Sequence, residues 1–221
     1  MEFDGILLVD KPKGWSSFDV VAKVRSVLKK ETGKKIKVGH TGTLDPEATG
    51  LLIIVVGSYC KRASEFSKLD KTYEVTMKLG ETSSTGDSEG VITTVSNRNP
   101  TIDELETACK TFVGEIMQTP PVYSAIKING QRAYKLARKG QKVEIEPRKI
   151  TIYSLEMTDY SYPFVKFTTK VSSGTYIRSL VEDIGKKLGT GAYMSDLRRT
   201  YVGNFSIDQA TAIEDIKLGN Y

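Results

Sequence analysis

The sequence predicts an α+β fold with a mixed, largely antiparallel sheet. Strand patterns are interrupted by helix patterns without the regular strand–helix–strand alternation of a parallel sheet. Residues 71–79 alternate between apolar and polar side chains, which is typical of a half-buried, antiparallel strand. Asn129-Gly130 is a strong signal for the two-residue turn of a β-hairpin. Together these observations favour an antiparallel sheet flanked by helices.

The first third of the chain predicts a strand, a helix and a second strand. Residues 6–9 predict a short buried strand. Residues 17–30 predict a helix that Ser17 caps and that buries a face of valines and leucines. Residues 51–56 are continuously apolar and predict a central strand, and residues 60–69 predict a short helix.

The remainder of the chain mixes strands, helices and a long loop. Residues 81–90 are polar and rich in glycine, which predicts the loop. Thr101 and Glu104 predict a capping box at the start of a helix that ends near Gly114. The other predicted elements are strands at residues 150–155, 164–171 and 204–207 and helices at residues 175–188 and 208–216.

Charge is unevenly distributed along the chain. The formal net charge is +5 at pH 7, which favours an anionic partner. Residues 1–40 carry nine lysines and arginines against five acids, and residues 127–149 carry eight against two. Residues 81–106 reverse this balance, with six acids against one base. The pattern indicates either a face that binds phosphates or ordinary solvated surfaces of helices and hairpins.

Composition narrows the class of protein. With 39% hydrophobic and 27% charged residues, the 221-residue chain is typical of a soluble globular protein. Cys60 and Cys109 are far apart in sequence and predict small apolar residues in a reducing compartment rather than a zinc site. The sequence contains no signal-peptide pattern and no stretch of the ~18 apolar residues that a membrane span requires. We therefore expect a cytoplasmic protein that binds no metal.

The most unusual segment is residues 39–50. It combines three glycines with His40, the only histidine, and with Asp45, a carboxylate in front of a proline. An apolar strand follows directly, so Asp45 would lie beside a rigid element, a suitable place for a nucleophile or base. The simpler interpretation of an Asp-Pro pair is a turn or a helix cap. Signatures of a phosphate-binding loop, a dinucleotide site and a nucleophile elbow are missing from the sequence.

Arg178 and Tyr73 are further candidates for an active site. An active carboxylate needs a cation to keep it ionised and aimed, and Arg178 lies near the start of the helix predicted at residues 175–188. The alternative is an exposed arginine on a helix surface. Tyr73 begins the apolar face of its strand, where it is either a residue at the edge of the core or a ring that stacks on a nucleobase.

Eight segments match a known family in order and cover nearly the whole chain. They are GILLVDKPKG (residues 5–14), SS (16–17), GHTGTLDPEATGL (39–51), KTY (71–73), LG with TGD (79–80 and 85–87), PPVYSA (120–125), GTYIR (174–178) and LRR (197–199). Each motif is weak alone, and the set is highly specific. The chain resembles the TruB family of transfer RNA pseudouridine synthases.

The resemblance implies an enzyme that isomerises uridine-55 in the T-loop of tRNA to pseudouridine. It implies the pseudouridine-synthase catalytic fold, a mixed sheet flanked by helices with a central RNA-binding cleft. The target base must leave the stack, at a cost of a few kcal/mol. An aspartate then promotes cleavage of the glycosidic bond, and the base rotates and rejoins through carbon 5. The resemblance also implies that no cofactor is used, that the T-arm stem-loop of tRNA is the partner, and that the protein is a monomer.

The functional residues of the family map onto seven positions of this chain. Asp45 matches the catalytic aspartate, Tyr73 the tyrosine that packs on the flipped uracil, and Arg178 the arginine paired with the aspartate. His40 matches the histidine that helps to fill the space left by the flipped base. The positions that line the site match Lys11, Tyr176 and Leu197.

Two departures from the family pattern bear on these expectations. Many bacterial members carry a small C-terminal PUA domain, and we expect residues 1–221 to form a single catalytic domain without it. Glu47 occupies a position that is often apolar in the family. Because it lies two residues from Asp45, its carboxylate either faces the solvent or perturbs the site.

Two other classes of function compete with the synthase. The basic segments also fit a non-catalytic RNA-binding or RNA-folding module. A glycoside hydrolase would use Asp45 with a second carboxylate ~5–9.5 Å away, but no second acid has a comparable sequence context.

Overall fold

The computed structural model describes residues 4–124, 126–128, 130–137, 139–141 and 143–217. Its helices are α1 (Ser17–Thr32), α2 (Ala63–Ser67), α3 (Ile102–Lys110), α4 (Ala133–Ala137) and α5 (Ile177–Leu188). Its strands are β1 (Gly5–Lys11), β2 (Val38–His40), β3 (Thr49–Val56), β4 (Lys71–Leu79), β5 (Glu81–Ser83), β6 (Ile92–Thr94), β7 (Gly114–Gln118), β8 (Lys127–Ile128), β9 (Gln131–Arg132), β10 (Arg148–Ser161), β11 (Phe164–Val171), β12 (Ala192–Val202), β13 (Phe205–Ser206) and β14 (Thr211–Ala212). Short 3-10 turns lie at Gly57–Arg62, Ile207–Gln209 and Ile213–Asp215.

The described residues form two compact units. The first contains the residues before Val75 and those after Asp196, and the second runs from Val75 to Asp196. Strands β4 and β12 contribute residues to both units.

Strand β3 is central to the first unit. It pairs antiparallel with β1, from Val56 opposite Gly5 to Gly50 opposite Lys11. It also pairs antiparallel with β2 and parallel with the second half of β12. Strand β14 pairs parallel with β1. The mixture of parallel and antiparallel pairs confirms the predicted type of sheet.

Side chains of β3 alternate between two apolar clusters. Leu52, Ile54 and Val56 pack against the buried face of α1. Leu51 and Ile53 point to a second cluster on the opposite face. A strand that is covered on both faces is expected to be continuously apolar, which explains this part of the sequence. The polar loop of residues 41–48 therefore leads directly into one of the most buried strands of the described chain.

The second unit is built on β10. This long strand pairs antiparallel with β7 on one side and β11 on the other. Helices α3 and α5 pack against each other, and α3 also packs against β10. Strand β5 pairs with β6, and β8 pairs with β9 in a short hairpin.

Most of the predicted elements are confirmed, and so is the α+β class. Residues 71–79 form β4 with the predicted alternation of burial, and Thr101 and Glu104 form the predicted capping box of α3. The antiparallel pairing of β8 with β9 confirms the hairpin, although Asn129 of its turn lies outside the described residues. The central cleft stays a prediction.

Three expectations about elements were wrong. The N-cap of α1 is Ser16, whose capping box is completed by Asp19, and not Ser17. Residues 208–216 form 3-10 turns and β14 instead of a helix, and part of the loop predicted at residues 81–90 is the strand β5. Strand β12 was not predicted at all. Within the described residues, no helix has both the length and the apolar character needed to cross a membrane.

Candidate active site

Asp45 lies at the first position of a tight turn. The backbone N–H of Ala48 donates to the carbonyl of Asp45 at 3.1 Å, and Pro46 occupies the second position. Proline is favoured there because its ring sets the backbone angle that the turn requires. Asp-Pro is therefore a turn, as the simpler interpretation proposed, and the turn also places the carboxylate at the entrance to β3.

Ser17 fixes the residue that precedes Asp45. Its hydroxyl accepts from the backbone N–H of Leu44 at 2.8 Å and donates to the carbonyl of Leu44 at 2.9 Å. Both bonds are buried. Ser17 is free for this role because Ser16 caps the helix. The first turn of α1 is thereby joined to the backbone beside Asp45.

Replacing Ser17 with alanine should remove both hydrogen bonds between α1 and Leu44. We expect the free energy of unfolding to fall by about 2 kcal/mol, since two buried backbone groups lose their partner, and kcat to fall more than KM changes. Ser16→Ala is the matched control, because it costs about 1 kcal/mol of helix capping without touching Leu44. Urea unfolding and steady-state kinetics measure both effects. Equal kcat values for the two variants would contradict this role of Ser17.

Lys11 lies beneath the turn with its side chain fully buried. Its ammonium group donates to the carbonyls of Pro12 at 3.0 Å, Trp15 at 2.6 Å and Pro46 at 3.1 Å. An ammonium has three N–H donors, so all of them are used. Burial lowers the pKa of Lys11 to about 8, and the negative charges of Asp45 and Glu47 oppose that shift. The structure thus brings two predicted site residues, Lys11 and Asp45, close together.

Glu47 faces the solvent. Its carboxylate lies 3.3 Å from the ammonium of Lys13, and both side chains are more than a third exposed. Of the two alternatives that the sequence left open, the exposed orientation is correct, although the charge of Glu47 still acts on Lys11.

Replacing Glu47 with leucine, an uncharged apolar side chain, should have small effects. An exposed ion pair contributes about 0–1 kcal/mol, so we expect the free energy of unfolding to change by less than about 1 kcal/mol. We expect turnover within a factor of ~5 of the unmodified protein, because 1.4 kcal/mol corresponds to a factor of ten. Lys13→Ala is the paired control. A tenfold change in turnover would mean that Glu47 acts on the site directly.

Two glycines of the loop, Gly42 and Gly50, lie against Arg199 of β12, while His40 ends β2, which pairs with β3. The Nδ1 atom of His40 accepts from the N–H of Gly42 at 3.4 Å. Arg199 is buried and donates to the carbonyls of Gly42 at 3.0 Å and Leu51 at 2.7 Å. At Gly50, with φ +102°, a Cβ atom would lie 2.3 Å from the carbonyl oxygen of Arg199. Glycine is therefore required where β3 starts beside β12.

Tyr73 and Leu197 also belong to the first unit. Tyr73 lies on the apolar face of β4 and is 8% exposed. Leu197 lies on β12, is equally buried, and accepts a hydrogen bond at its carbonyl from the Thr49 hydroxyl at 3.4 Å. Burial alone fits both the core interpretation of Tyr73 and a role in stacking.

Tyr176 and Arg178 belong to the second unit, at the start of α5. Gln118 is buried and binds the backbone of Tyr176 twice, accepting from its N–H at 2.8 Å and donating to its carbonyl at 3.0 Å. Ser179 donates to the carbonyl of Thr119 at 3.0 Å. The end of β7 thus sets the position of the helix start and of both candidate side chains.

The guanidinium of Arg178 is buried and is held by several oxygen atoms. It donates to the carbonyls of Thr85 at 3.0 Å and Tyr123 at 2.9 Å, and it lies 3.4 Å from a carboxylate oxygen of Asp87. Asp87 is itself held by the Thr85 hydroxyl at 2.5 Å. The alternative of an exposed helix arginine is wrong. The pairing of Arg178 with Asp45 stays a prediction.

Sequence reasoning missed the groups that support the site. Ser17 was interpreted as a cap, and Arg199 and Gln118 received no role. A buried arginine that binds carbonyls leaves no periodic signal, since its neighbours in space are distant in sequence. Asp87 was visible only as part of the TGD motif. Within the described ranges, no group of three or more histidine, cysteine, aspartate or glutamate residues is placed to hold a metal ion.

Comparison with known families covers almost the entire chain. Residues 26–177 match the profile of the TruB family pseudouridylate synthase N-terminal domain, and residues 178–220 match that of the tRNA pseudouridylate synthase B C-terminal domain. The tRNA pseudouridine synthase B of Aquifex aeolicus is 46% identical over 96% of this chain and 73% of its own length. The corresponding protein of Parabacteroides distasonis is also 46% identical, over 96% of this chain and 91% of its own length.

Solved structures agree with this result. A chain of a Cbf5–Nop10–Gar1 complex superposes with a TM-score of 0.75 at 30% identity and covers 97% of this chain and 53% of its own. A chain of an H/ACA ribonucleoprotein bound to a substrate RNA gives a TM-score of 0.70 at 28% identity, over 96% and 51%. This chain therefore spans about half the length of these two solved chains. The motifs, the fold and the extent of these matches lead to one conclusion: the chain belongs to the TruB family of pseudouridylate synthases.

Proposed function

We propose that this chain isomerises uridine-55 in the T-loop of tRNA to pseudouridine, with Asp45 as the catalytic carboxylate. The observation that carries the proposal is the construction of the Asp45 turn. The carboxylate stands on a turn that is held by Ser17 on one side and Lys11 below, and it belongs to the family motif GHTGTLDP. Positioning of this kind is what a reaction at a single sugar carbon requires.

The reaction proceeds by extrusion of the base and movement of the glycosidic bond. The uracil leaves the stack, the bond from the sugar carbon to N1 breaks, and a new bond forms from that carbon to carbon 5 of the rotated base. Carbon 5 then loses its proton, and N1 gains one. Atoms balance because the product is an isomer of the substrate. Two routes fit: Asp45 adds covalently to the sugar, or it removes a sugar proton to give a glycal.

Each of the remaining site residues has a separate role in binding the flipped nucleotide. The ring of Tyr73 packs on the uracil, which offsets part of the cost of unstacking, and His40 fills the space that the base leaves. Arg178 pairs with Asp45 and aims it. Tyr73 is also a candidate for removing the proton from carbon 5. The sides of the pocket are completed by Lys11, Tyr176 and Leu197.

The proposed partner is the T-arm stem-loop, and the proposed setting is a monomer in the cytoplasm. The name of the family supports a tRNA substrate. Two free cysteines, one buried and one half-buried, are compatible with a reducing compartment. We retain the prediction of a single catalytic domain as part of the same proposal.

The decisive test is tritium release. A T-arm stem-loop labelled at carbon 5 of its uridines loses tritium to water only when carbon 5 is bonded to the sugar and deprotonated. We expect release of one equivalent, and none from a stem-loop in which cytidine replaces the target uridine. Binding without release would support the non-catalytic RNA module. Release of free base or sugar would support the hydrolase.

A further inference from the structure

The exposed side of α1 and the connection to β2 carry a dense group of cations. Residues 23–37 contain seven lysines and arginines and a single acid, Glu31. This excess is larger than the +5 of the whole chain, so the rest of the chain is close to neutral. The α1 basic surface consists of seven exposed residues: Lys23, Arg25, Lys29, Lys30, Lys34, Lys35 and Lys37.

Helix stability does not account for this surface. Lysines in the last turn of a helix interact favourably with its dipole, which explains Lys29 and Lys30 only. The other five cations lie earlier in the helix or beyond its end. Within the described part of the chain, none of the seven forms an ion pair with a carboxylate. Their mutual repulsion is therefore not offset by a partner in the described residues.

The segment that carries the last three cations is anchored. Gly33 ends α1 in the left-handed conformation with its N–H on the carbonyl of Lys29 at 3.0 Å. Ile36 packs against the apolar cluster of α1 and β3, and the carbonyl of Lys37 accepts from Gly57 at 2.8 Å. The backbone that carries these lysines is therefore already ordered, and binding a ligand does not cost the entropy of ordering it.

The α1 basic surface stands at a set distance from the Asp45 turn. The first turn of α1 is bonded to Leu44 through Ser17, and the helix is 16 residues long. At 1.5 Å per residue, its far end lies about 24 Å from its start. Both ends belong to the same compact unit. An RNA that extends from the turn along α1 has the length and the negative charge to contact this surface.

We propose that the α1 basic surface binds the phosphate backbone of the substrate RNA at a second point, remote from the reacting uridine. This inference rests on the proposed function. Ammonium groups contact phosphates without reading bases, so the surface raises affinity and fixes register while the pocket selects the nucleotide. Each phosphate contact releases counterions and steepens the dependence of binding on salt.

The test compares two triple variants with the same change in charge. Lys29→Gln, Lys30→Gln and Lys34→Gln remove three cations of the α1 basic surface. The control removes three exposed lysines from the last turns of α3 and α5: Lys110, Lys186 and Lys187, each changed to glutamine. Binding to whole tRNA and to the isolated T-arm stem-loop is measured by fluorescence anisotropy across a series of salt concentrations. Circular dichroism melting verifies that both variants fold.

We expect the α1 variant to bind whole tRNA at least ~10-fold more weakly than the control, with a salt slope smaller by about 2. The loss of affinity for the isolated stem-loop should be smaller, because that RNA is shorter and offers fewer phosphates away from the target uridine. A loss on both RNAs also supports the proposal and places the contact within the arm. Equal affinities and slopes for the two variants on both RNAs would overturn it. Tritium release by the unmodified protein tests the proposed function separately.

Discussion

Replacing Asp45 with asparagine is expected to abolish isomerisation while the protein still binds RNA. The amide has nearly the same shape as the carboxylate, so the turn to Ala48 and the bonds of Leu44 should survive. It lacks the negative charge that both proposed routes require at the sugar. Loss of a catalytic carboxylate of this kind costs on the order of 10⁴-fold in kcat. Tritium release from the labelled stem-loop and anisotropy with the same RNA measure the two properties.

Glu47→Gln is the control for Asp45→Asn. It removes the same charge two residues away, from a side chain that faces the solvent. We expect it to keep turnover within a factor of ~3, in line with the small contribution of exposed pairs. Normal turnover in Asp45→Asn would refute the assignment of Asp45. Lost RNA binding in that variant would indicate a damaged loop instead, and thermal melting distinguishes that case.

Replacing Lys11 with methionine should have the largest effect on stability. The carbonyls of Pro12, Trp15 and Pro46 would each lose a buried donor, at ~1–3 kcal/mol apiece. Removing the buried charge stabilises the folded state by about 3 kcal/mol, because the ammonium no longer has to be buried, as its lowered pKa indicates. The losses are larger, so we expect the free energy of unfolding to fall by ~2–4 kcal/mol at pH 7. Because the Asp45 turn loosens, kcat should fall by up to ~100-fold.

The pH dependence of this effect has a definite sign. The folded protein holds Lys11 with a pKa of about 8, below the ordinary 10.5. Between these two values the unfolded chain binds more protons, so the stability of the unmodified protein rises with pH. Lys11→Met lacks this gain, and the gap between the two proteins should widen by about 2–3 kcal/mol from pH 7 to pH 10. Urea unfolding at both pH values measures it.

Lys71→Met is the matched control for Lys11→Met. Lys71 is also buried, with a pKa lowered to about 8, mainly by burial. Its ammonium donates to the carbonyls of Ser67 and Leu69 and not to the Asp45 turn. We expect a similar loss of stability and a smaller loss of kcat. If the difference in the free energy of unfolding between the unmodified protein and Lys11→Met stays constant with pH, Lys11 is not the group whose protonation changes.

The fold could be predicted where apolar side chains set the pattern. Strand β3 is apolar at every position from Leu51, and α1 buries its valines at helical spacing, so both were found. Strand β12 escaped because Ser195, Asp196 and the paired arginines interrupt its apolar pattern. Arg199 is nevertheless buried, since backbone carbonyls satisfy its guanidinium. The helix expected at residues 208–216 is replaced by β14, which pairs with β1, a partner some 200 residues away that no local pattern reveals.

The sequence suggests candidate reacting groups but not the side chains that hold them in place. Asp45 and His40 stand out because a polar, glycine-rich loop precedes a buried strand. Ser17, Arg199 and Gln118 bind backbone atoms of residues distant in sequence, and any sequence can supply a backbone carbonyl. Lys11 needed the family motif. Tyr73 and Arg178 needed the family motifs, since a buried tyrosine on a strand and an arginine on a helix are both common.

The ammonium of Lys11 joins the carbonyls of Pro12 and Trp15 to that of Pro46, and backbone amides add further bonds around the Asp45 turn. Gly14 donates to Pro46 at 2.9 Å, Leu44 donates to Ser17, and Ala48 donates to Asp45. The carbonyl of Pro46 accepts from both Gly14 and the Lys11 ammonium. Local opening in proteins occurs in cooperative blocks. We expect these amides to open as one such block, which the Lys11 side chain holds closed. We therefore expect the amides of Gly14, Leu44 and Ala48 to exchange with solvent hydrogens together, and to exchange faster in Lys11→Met.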